Sequence, residues 1–176
     1  MASEDLTIGL RRDRHLELRG REAEPWWRRA VIAAFAAVIV AALAGAFGQQ
    51  EDTARAQTAA AMLTVRAPQQ VRGGLFFQGR LDIRARQAIA KPRIVLGPGW
   101  TEEMQLNTIE PSPASESSSA GQLEFEYDPM KAADHLTVWM EFEANPTSMG
   151  SRDRAVTLLD GDRVIAHIPG RLTAFP

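Results

Sequence analysis

Residues 75–86 read LFFQGRLDIRAR and carry the clearest structural signal in this chain. Two sets of residues alternate along the stretch. The first set is mostly apolar and consists of Leu75, Phe77, Gly79, Leu81, Ile83 and Ala85. The second set is mostly polar and consists of Phe76, Gln78, Arg80, Asp82, Arg84 and Arg86. Because successive side chains of a strand point to opposite sides, this period of two predicts a β-strand with one buried face.

The same alternation continues on both sides of this stretch. Further short strands are predicted at 63–66, 93–96, 104–109, 123–127, 136–143, 155–159, 163–168 and 172–175. Asp160-Gly161-Asp162 separates two of them and has the composition of a hairpin turn. Residues 111–121 are rich in Ser and Pro and predict an exposed loop. Short strands with regularly spaced turns predict an all-β domain at 62–176, an immunoglobulin-like antiparallel β-sandwich, with a closed barrel as the alternative.

One part of this domain resembles a known group of proteins. The stretch at 135–156 reads HLTVWMEFEANPTSMGSRDRAV, and YDPMKAAD precedes it at 127–134. Together they resemble the C-terminal half of DUF11-like and related immunoglobulin-like repeats of bacterial envelope proteins, although Ala133 stands where glycine is common. The resemblance implies a spacer, adhesive or assembly role outside the membrane, and it implies no catalytic residues.

The chain offers little catalytic chemistry. It has no cysteine, which excludes disulfides and thiolate sites, and its three histidines show no metal-ligand spacing. Paired glutamates are present at Glu124/Glu126 and at Glu141/Glu143, and we interpret them as solvated strand faces that form salt bridges with Arg80, Arg84 and Arg86. We therefore expect no cofactor, no metal site and no enzymatic activity, with an envelope hydrolase that uses these glutamates as an alternative.

Three aromatic residues are candidates for contact with a partner. Phe76 and Trp139 fall on the mostly polar faces of their predicted strands, and Trp100 follows a predicted turn. If these faces point to solvent, the aromatic side chains form an apolar contact patch.

Residues 30–47 read AVIAAFAAVIVAALAGAF and contain no charge. At about 1.5 Å per residue, such a helix spans roughly 27 Å, enough for the hydrocarbon core of a bilayer. A transmembrane helix is predicted at 30–48. The residues before it, Trp26, Trp27, Arg28 and Arg29, are expected at the membrane interface.

The positions of the arginines predict how the chain is oriented. The segment before the helix contains seven of them, whereas the flank that follows offers only Arg55 and Arg66. The positive-inside rule then places residues 1–29, a disordered tail, in the cytoplasm, and places a stalk at 49–61 and the β domain outside. A cleaved signal peptide and the core helix of a soluble protein are the alternatives.

These features predict a class of function rather than a specific one. The formal net charge of −2 gives no reason to expect binding to nucleic acid. Abundant Arg and Ala suggest a bacterial source. We expect a single-pass cell-membrane protein whose partners are the lipid bilayer and an integral membrane or envelope protein, for which it is an accessory or assembly module. A ligand-binding sensor that signals through the anchor is the alternative.

Overall fold

The structure is a computed structural model that describes residues 24–45 and 49–175. These residues belong to two separate units, an N-terminal helix and a β domain. Most of the predicted cytoplasmic tail, residues 1–23, lies outside the described residues.

Helix α1 (Glu24–Leu43) begins inside the predicted tail, earlier than the boundary at residue 30. The part from Trp26 to Leu43 is long and apolar enough to cross a membrane, and none of it is buried against protein. Trp26, Trp27, Arg28 and Arg29 therefore form the first turns of the helix instead of preceding it. A helix of this kind near the N-terminus fits a membrane anchor and also fits a signal sequence.

The β domain consists of short strands and one 3₁₀ turn at Pro98–Trp100. In chain order, the strands are β1 (Glu51–Gln57), β2 (Ala61–Pro68), β3 (Gln70–Arg72), β4 (Phe76–Ala85), β5 (Pro92–Leu96), β6 (Met104–Glu110), β7 (Ser115–Ser119), β8 (Gln122–Glu126), β9 (His135–Ala144), β10 (Gly150–Asp153), β11 (Val156–Asp160), β12 (Arg163–Ile168) and β13 (Arg171–Phe175).

These strands form two five-stranded sheets and one small sheet. Sheet I has the order β1-β2-β4-β9-β6, sheet II has the order β12-β11-β5-β8-β7, and sheet III has the order β10-β13-β3. All pairs are antiparallel except β3–β13. Leu81 of sheet I and Phe125 of sheet II belong to one buried cluster, as the two layers of a sandwich require. The predicted all-β class, an immunoglobulin-like sandwich, is confirmed.

The strand with the clearest sequence pattern is also the best predicted. In β4, Phe77, Leu81, Ile83 and Ala85 are buried, as is Gly79 between them. The predicted hairpin at Asp160–Asp162 joins β11 to β12, and Gly161 adopts a φ of 61° that favours glycine.

Two segments that were predicted as a stalk and a loop contain strands at the edges of sheets. The predicted stalk at 49–61 is wrong over β1, which pairs with β2 from Glu51↔Pro68 to Gln57↔Met62. The predicted loop at 111–121 contains β7, which pairs with β8 although all five of its residues are exposed. Both segments are polar or alanine-rich, so their hydrogen bonds to a neighbouring strand leave no strong hydrophobic period in the sequence.

A buried arginine connects distant parts of the β domain. Arg154 donates hydrogen bonds of 2.7 Å to the carbonyl oxygens of Ala67 and Pro68 at the end of β2. Its guanidinium lies 3.9 Å from the carboxylate of Asp52 in β1. Burial lowers the pKa of Arg154, and the charge of Asp52 opposes this effect. The side chain gives these two carbonyls a charged donor, so it supports the packing of β1 and β2.

Candidate interaction surface

The outward side chains of sheet I form one continuous polar surface, which we call the Trp139 face. It consists of the outward residues of β1, β2, β4, β9 and β6, because the opposite side of the sheet contributes to the core. Strand pairing places Arg80 opposite Trp139 and Asp82 opposite Thr137 on the two central strands. The alternating pattern of residues 75–86 thus builds the middle of this surface.

Asp82 lies at the centre of a network of polar contacts on the Trp139 face. Its carboxylate accepts hydrogen bonds from Arg80 at 2.9 Å and from Thr137 at 2.9 Å. Arg66 and His135 lie 3.9 Å and 3.8 Å from the same carboxylate. The network joins β2, β4 and β9 and fixes the positions of the neighbouring side chains.

The network also changes the acidity of Asp82. Partial burial by itself would raise its pKa. The hydrogen bonds from Arg80 and Thr137, together with the charges of Arg80 and Arg66, outweigh burial and lower the pKa of Asp82 below its ordinary value. Asp82 is therefore ionised at neutral pH and holds the two arginines in place.

The structure separates the three aromatic residues that were predicted to contact a partner. Phe76 is 56% exposed and Trp139 is 37% exposed, and both lie on the Trp139 face. Trp100 is 0% exposed, so its prediction as a contact residue is wrong. The ring of Trp100 packs against Phe142, with 5.2 Å between centroids, and fills the space that Gly79 leaves in β4. The turn before Trp100 directs it into the core and not toward solvent.

Phe76 and Trp139 do not form the apolar patch that the sequence suggested. Phe76 is paired with Glu143, whereas Trp139 is paired with Arg80. The row of Gln78 and Glu141 lies between these two rows. In addition, the guanidinium of Arg80 stacks over the Trp139 ring at 4.4 Å from the centroid. The aromatic groups are thus separate and are embedded in a charged surface.

Charge is divided between the two halves of the Trp139 face. The half formed by β1, β2 and β4 carries four outward arginines, namely Arg55, Arg66, Arg80 and Arg84, with Asp82 among them and Glu51 at one end. The half formed by β9 and β6 carries three outward glutamates, namely Glu110, Glu141 and Glu143. The face therefore has a basic half and an acidic half.

The predicted salt bridges of the paired glutamates with Arg80, Arg84 and Arg86 are wrong for the described residues, although Glu124 does pair with another strand arginine, Arg93. Arg80 pairs with Asp82, Arg86 donates to the backbone of Thr58, and Arg84 forms no ion pair among residues 24–45 and 49–175. Glu141 instead accepts a hydrogen bond from Thr108 at 3.5 Å. The sequence showed which residues point outward, but it did not show that Asp82 lies within ion-pair distance of Arg66 and Arg80.

The four glutamates of the hydrolase alternative lie on different sheets. Glu141 and Glu143 belong to β9 of sheet I, whereas Glu124 and Glu126 belong to β8 of sheet II. Glu124 lies 3.7 Å from Arg93. Within the described ranges, no group of three or more His, Asp or Glu side chains is arranged to hold a metal ion.

Two hollows open onto the basic half of the Trp139 face. They have volumes of about 390 Å³ and 370 Å³ and share Met62, Arg84 and Ala133. Both are partly open to solvent. A broad, charged surface of this shape is suited to contact with a macromolecule.

The predicted membrane-interface residues lie on α1. Trp26 and Trp27 are each 73% exposed, and Arg28 and Arg29 follow them directly. Aromatic and basic residues at the end of an apolar helix are typical of the boundary between lipid and water.

Comparisons with known proteins give solved structures of low similarity to this chain. No protein-family model and no curated protein matches the chain. A CARDB domain from Pyrococcus furiosus, crystallised with di-metal ions, has a TM-score of 0.42 and 10% identity and covers 68% of this chain and 97% of its own. The GAE domain of yeast GGA1 has a TM-score of 0.29 and 6% identity and covers 72% of this chain and 99% of its own. The DUF11-like resemblance receives no support from a family model, and the immunoglobulin-like sandwich is what remains of it.

Proposed function

We propose that this protein is a non-enzymatic assembly module of the cell envelope. Helix α1 anchors the chain in the membrane, and the β-sandwich is held outside the cytoplasm. There the Trp139 face binds a protein, so that the chain acts as an accessory or assembly component of a larger membrane or envelope assembly.

The observation that carries this proposal is the composition of the Trp139 face. Charged groups lie on both halves, and the stacked pair of Trp139 and Arg80 lies between them. Tryptophan and arginine are the residues most enriched at energetically important positions of protein interfaces. The second aromatic residue, Phe76, is more than half exposed on the same surface.

Photocrosslinking in native membranes tests the proposal. A photoreactive phenylalanine analogue replaces Phe76 in the full-length chain. The matched control carries the same analogue at Val164, an apolar residue of β12 that is 58% exposed on sheet II. We expect a discrete protein adduct at position 76 and none at position 164. Equal labelling at both positions, or no protein adduct at position 76, would contradict the proposal.

A further inference from the structure

We propose that the Trp139 face binds the same face of a second copy of this chain, so that the module acts as a symmetric pair. This inference rests on the proposed function, because it names the protein that occupies the face.

The first argument is that both halves of the face carry charges without a partner. In the basic half, the side chains of Arg55 and Arg84 form no hydrogen bond or ion pair with any described residue. In the acidic half, the same holds for Glu110 and Glu143. Two unpartnered cations therefore lie in the basic half, with the unpartnered Glu51 at its end, and two unpartnered anions lie in the acidic half.

The second argument is geometric. The line from the basic half to the acidic half runs across the plane of sheet I, from β1, β2 and β4 toward β9 and β6. A two-fold axis that lies between two facing copies and runs parallel to the strands, between β4 and β9, places each basic half over the acidic half of the other copy. Strand register puts Arg66, Arg80, Trp139 and Glu110 in one row across the sheet, so Arg66 of each copy then faces Glu110 of the other. Every contact then occurs twice, as in other two-fold interfaces. The charge pattern thus makes the face complementary to itself.

The centre of such an interface has suitable chemistry. Arg80 of β4 and Trp139 of β9 lie between the two halves and are stacked on each other. Asp82 holds Arg80 through a hydrogen bond, which reduces the side-chain entropy that binding must remove. Two stacked Trp–Arg pairs, one from each copy, would meet close to the axis.

The size of the face also agrees with a dimer. Five strands about 4.8 Å apart and roughly 30 Å long give a surface of roughly 700 Å². A stable interface of standard size buries about 800 Å² on each partner. Anchoring both copies in one membrane raises their effective concentration, so that even a weak contact would form pairs.

The absence of cysteine from the sequence permits a direct test. Gln78→Cys introduces a single thiol at an exposed position of β4, within the Trp139 face and opposite Glu141. The matched control is Val164→Cys on β12. We expect a short bismaleimide to cross-link the full-length Gln78→Cys chain to a dimer in native membranes, and to leave the control monomeric.

Charge reversal then tests the arrangement of the two copies. Arg66→Glu and Glu110→Arg are each expected to lower the cross-linked fraction of the Gln78→Cys chain about fivefold, because each lost attraction occurs twice and becomes a repulsion. The double variant, which carries both reversals in one chain, restores the complementarity, and we expect its cross-linked fraction to return to within about twofold of the parent. Glu110 is unpartnered within the described chain, whereas Arg66 lies 3.9 Å from Asp82, so the recovery in the double variant decides the test rather than the loss in Arg66→Glu alone.

Self-pairing is overturned if Gln78→Cys gives no dimer, if the control dimerises equally, or if the double variant shows no recovery. A photoadduct at position 76 that contains only a different protein also overturns self-pairing, and it leaves the proposed function in place. An adduct that contains a second copy supports both. The absence of any protein adduct at position 76 overturns both.

Discussion

Asp82 shows how a single residue organises the Trp139 face. The sequence places it among outward polar residues of a strand, and nothing in that pattern distinguishes it from its neighbours. In the fold, its side chain is only 14% exposed and is surrounded by Arg66, Arg80, Thr137 and His135. Four groups from three strands thus meet at one carboxylate, which stabilises the central part of the sheet.

This arrangement predicts a specific dependence of stability on pH. A carboxyl group with a lower pKa in the folded than in the unfolded state stabilises the fold above its unfolded pKa of about 3.9. That contribution is lost as the pH falls through the folded pKa. We expect Asp82→Asn to lower the free energy of unfolding by about 1–2 kcal/mol at pH 7. Between pH 7 and a pH below about 4, the variant should lose less stability than the wild type, because it has no carboxylate at this position to protonate.

Urea unfolding of the full-length chain in detergent at pH 7 and at pH 2.5 measures this effect. The matched control is Asp162→Asn, because the side chain of Asp162 is 99% exposed although it lies near Arg93. We expect the control to unfold like the wild type at both values of pH. If Asp82→Asn keeps the full acid destabilisation, Asp82 does not have the lowered pKa on which the prediction depends.

At the scale of elements, α1 decides whether the chain is anchored. The helix is apolar, is not buried against protein and lies near the N-terminus, and these properties are shared by anchors and signal sequences. A charged residue at the centre of a membrane helix raises the free energy of insertion by about 2.5–3.5 kcal/mol. Ala34 is at the middle of the candidate span from Trp26 to Leu43.

We therefore expect Ala34→Arg to reduce strongly the fraction of full-length chain that remains in membranes after alkaline carbonate extraction. Ala34→Leu is the matched control, since it changes side-chain size without adding charge, and it should remain in the membrane fraction. An immunoblot against a C-terminal tag gives the apparent mass of the chain in each fraction. A shortened, extractable wild-type chain would show that the helix is a cleaved signal sequence.

At the scale of the whole molecule, the proposed function requires that the β-sandwich is outside the cytoplasm. The arginine distribution predicts this orientation, with the N-terminal segment inside. The absence of cysteine makes the orientation measurable with single thiols. Ser117 of β7 is exposed and belongs to the sandwich, whereas Ser3 belongs to the predicted tail.

We expect a membrane-impermeant maleimide to label Ser117→Cys in intact cells, and to label Ser3→Cys only after the cells are lysed. The wild type is the blank because it contains no thiol. The reverse pattern would place the sandwich in the cytoplasm and contradict the proposed function.

The sequence by itself determined the features that depend on local patterns. The alternation in residues 75–86 and 136–143 is enough to predict β4 and β9 and the side of each strand that faces outward. The Asp160–Asp162 turn and the apolar character of α1 are equally local. Burial of alternate side chains requires only that one face of a strand meets a core, so these predictions hold without knowledge of the partner strands.

Only the tertiary structure decided which distant residues meet. β1 and β7 are strands because their backbones complete the edges of sheets, and this leaves little trace in their side chains. Trp100 is buried because Gly79 and Phe142 leave space for its ring. The basic and acidic halves of the Trp139 face exist because strand register places β1, β2, β4, β9 and β6 side by side. Pairing between strands far apart in the sequence is set by the packing of the whole core, which no local pattern contains.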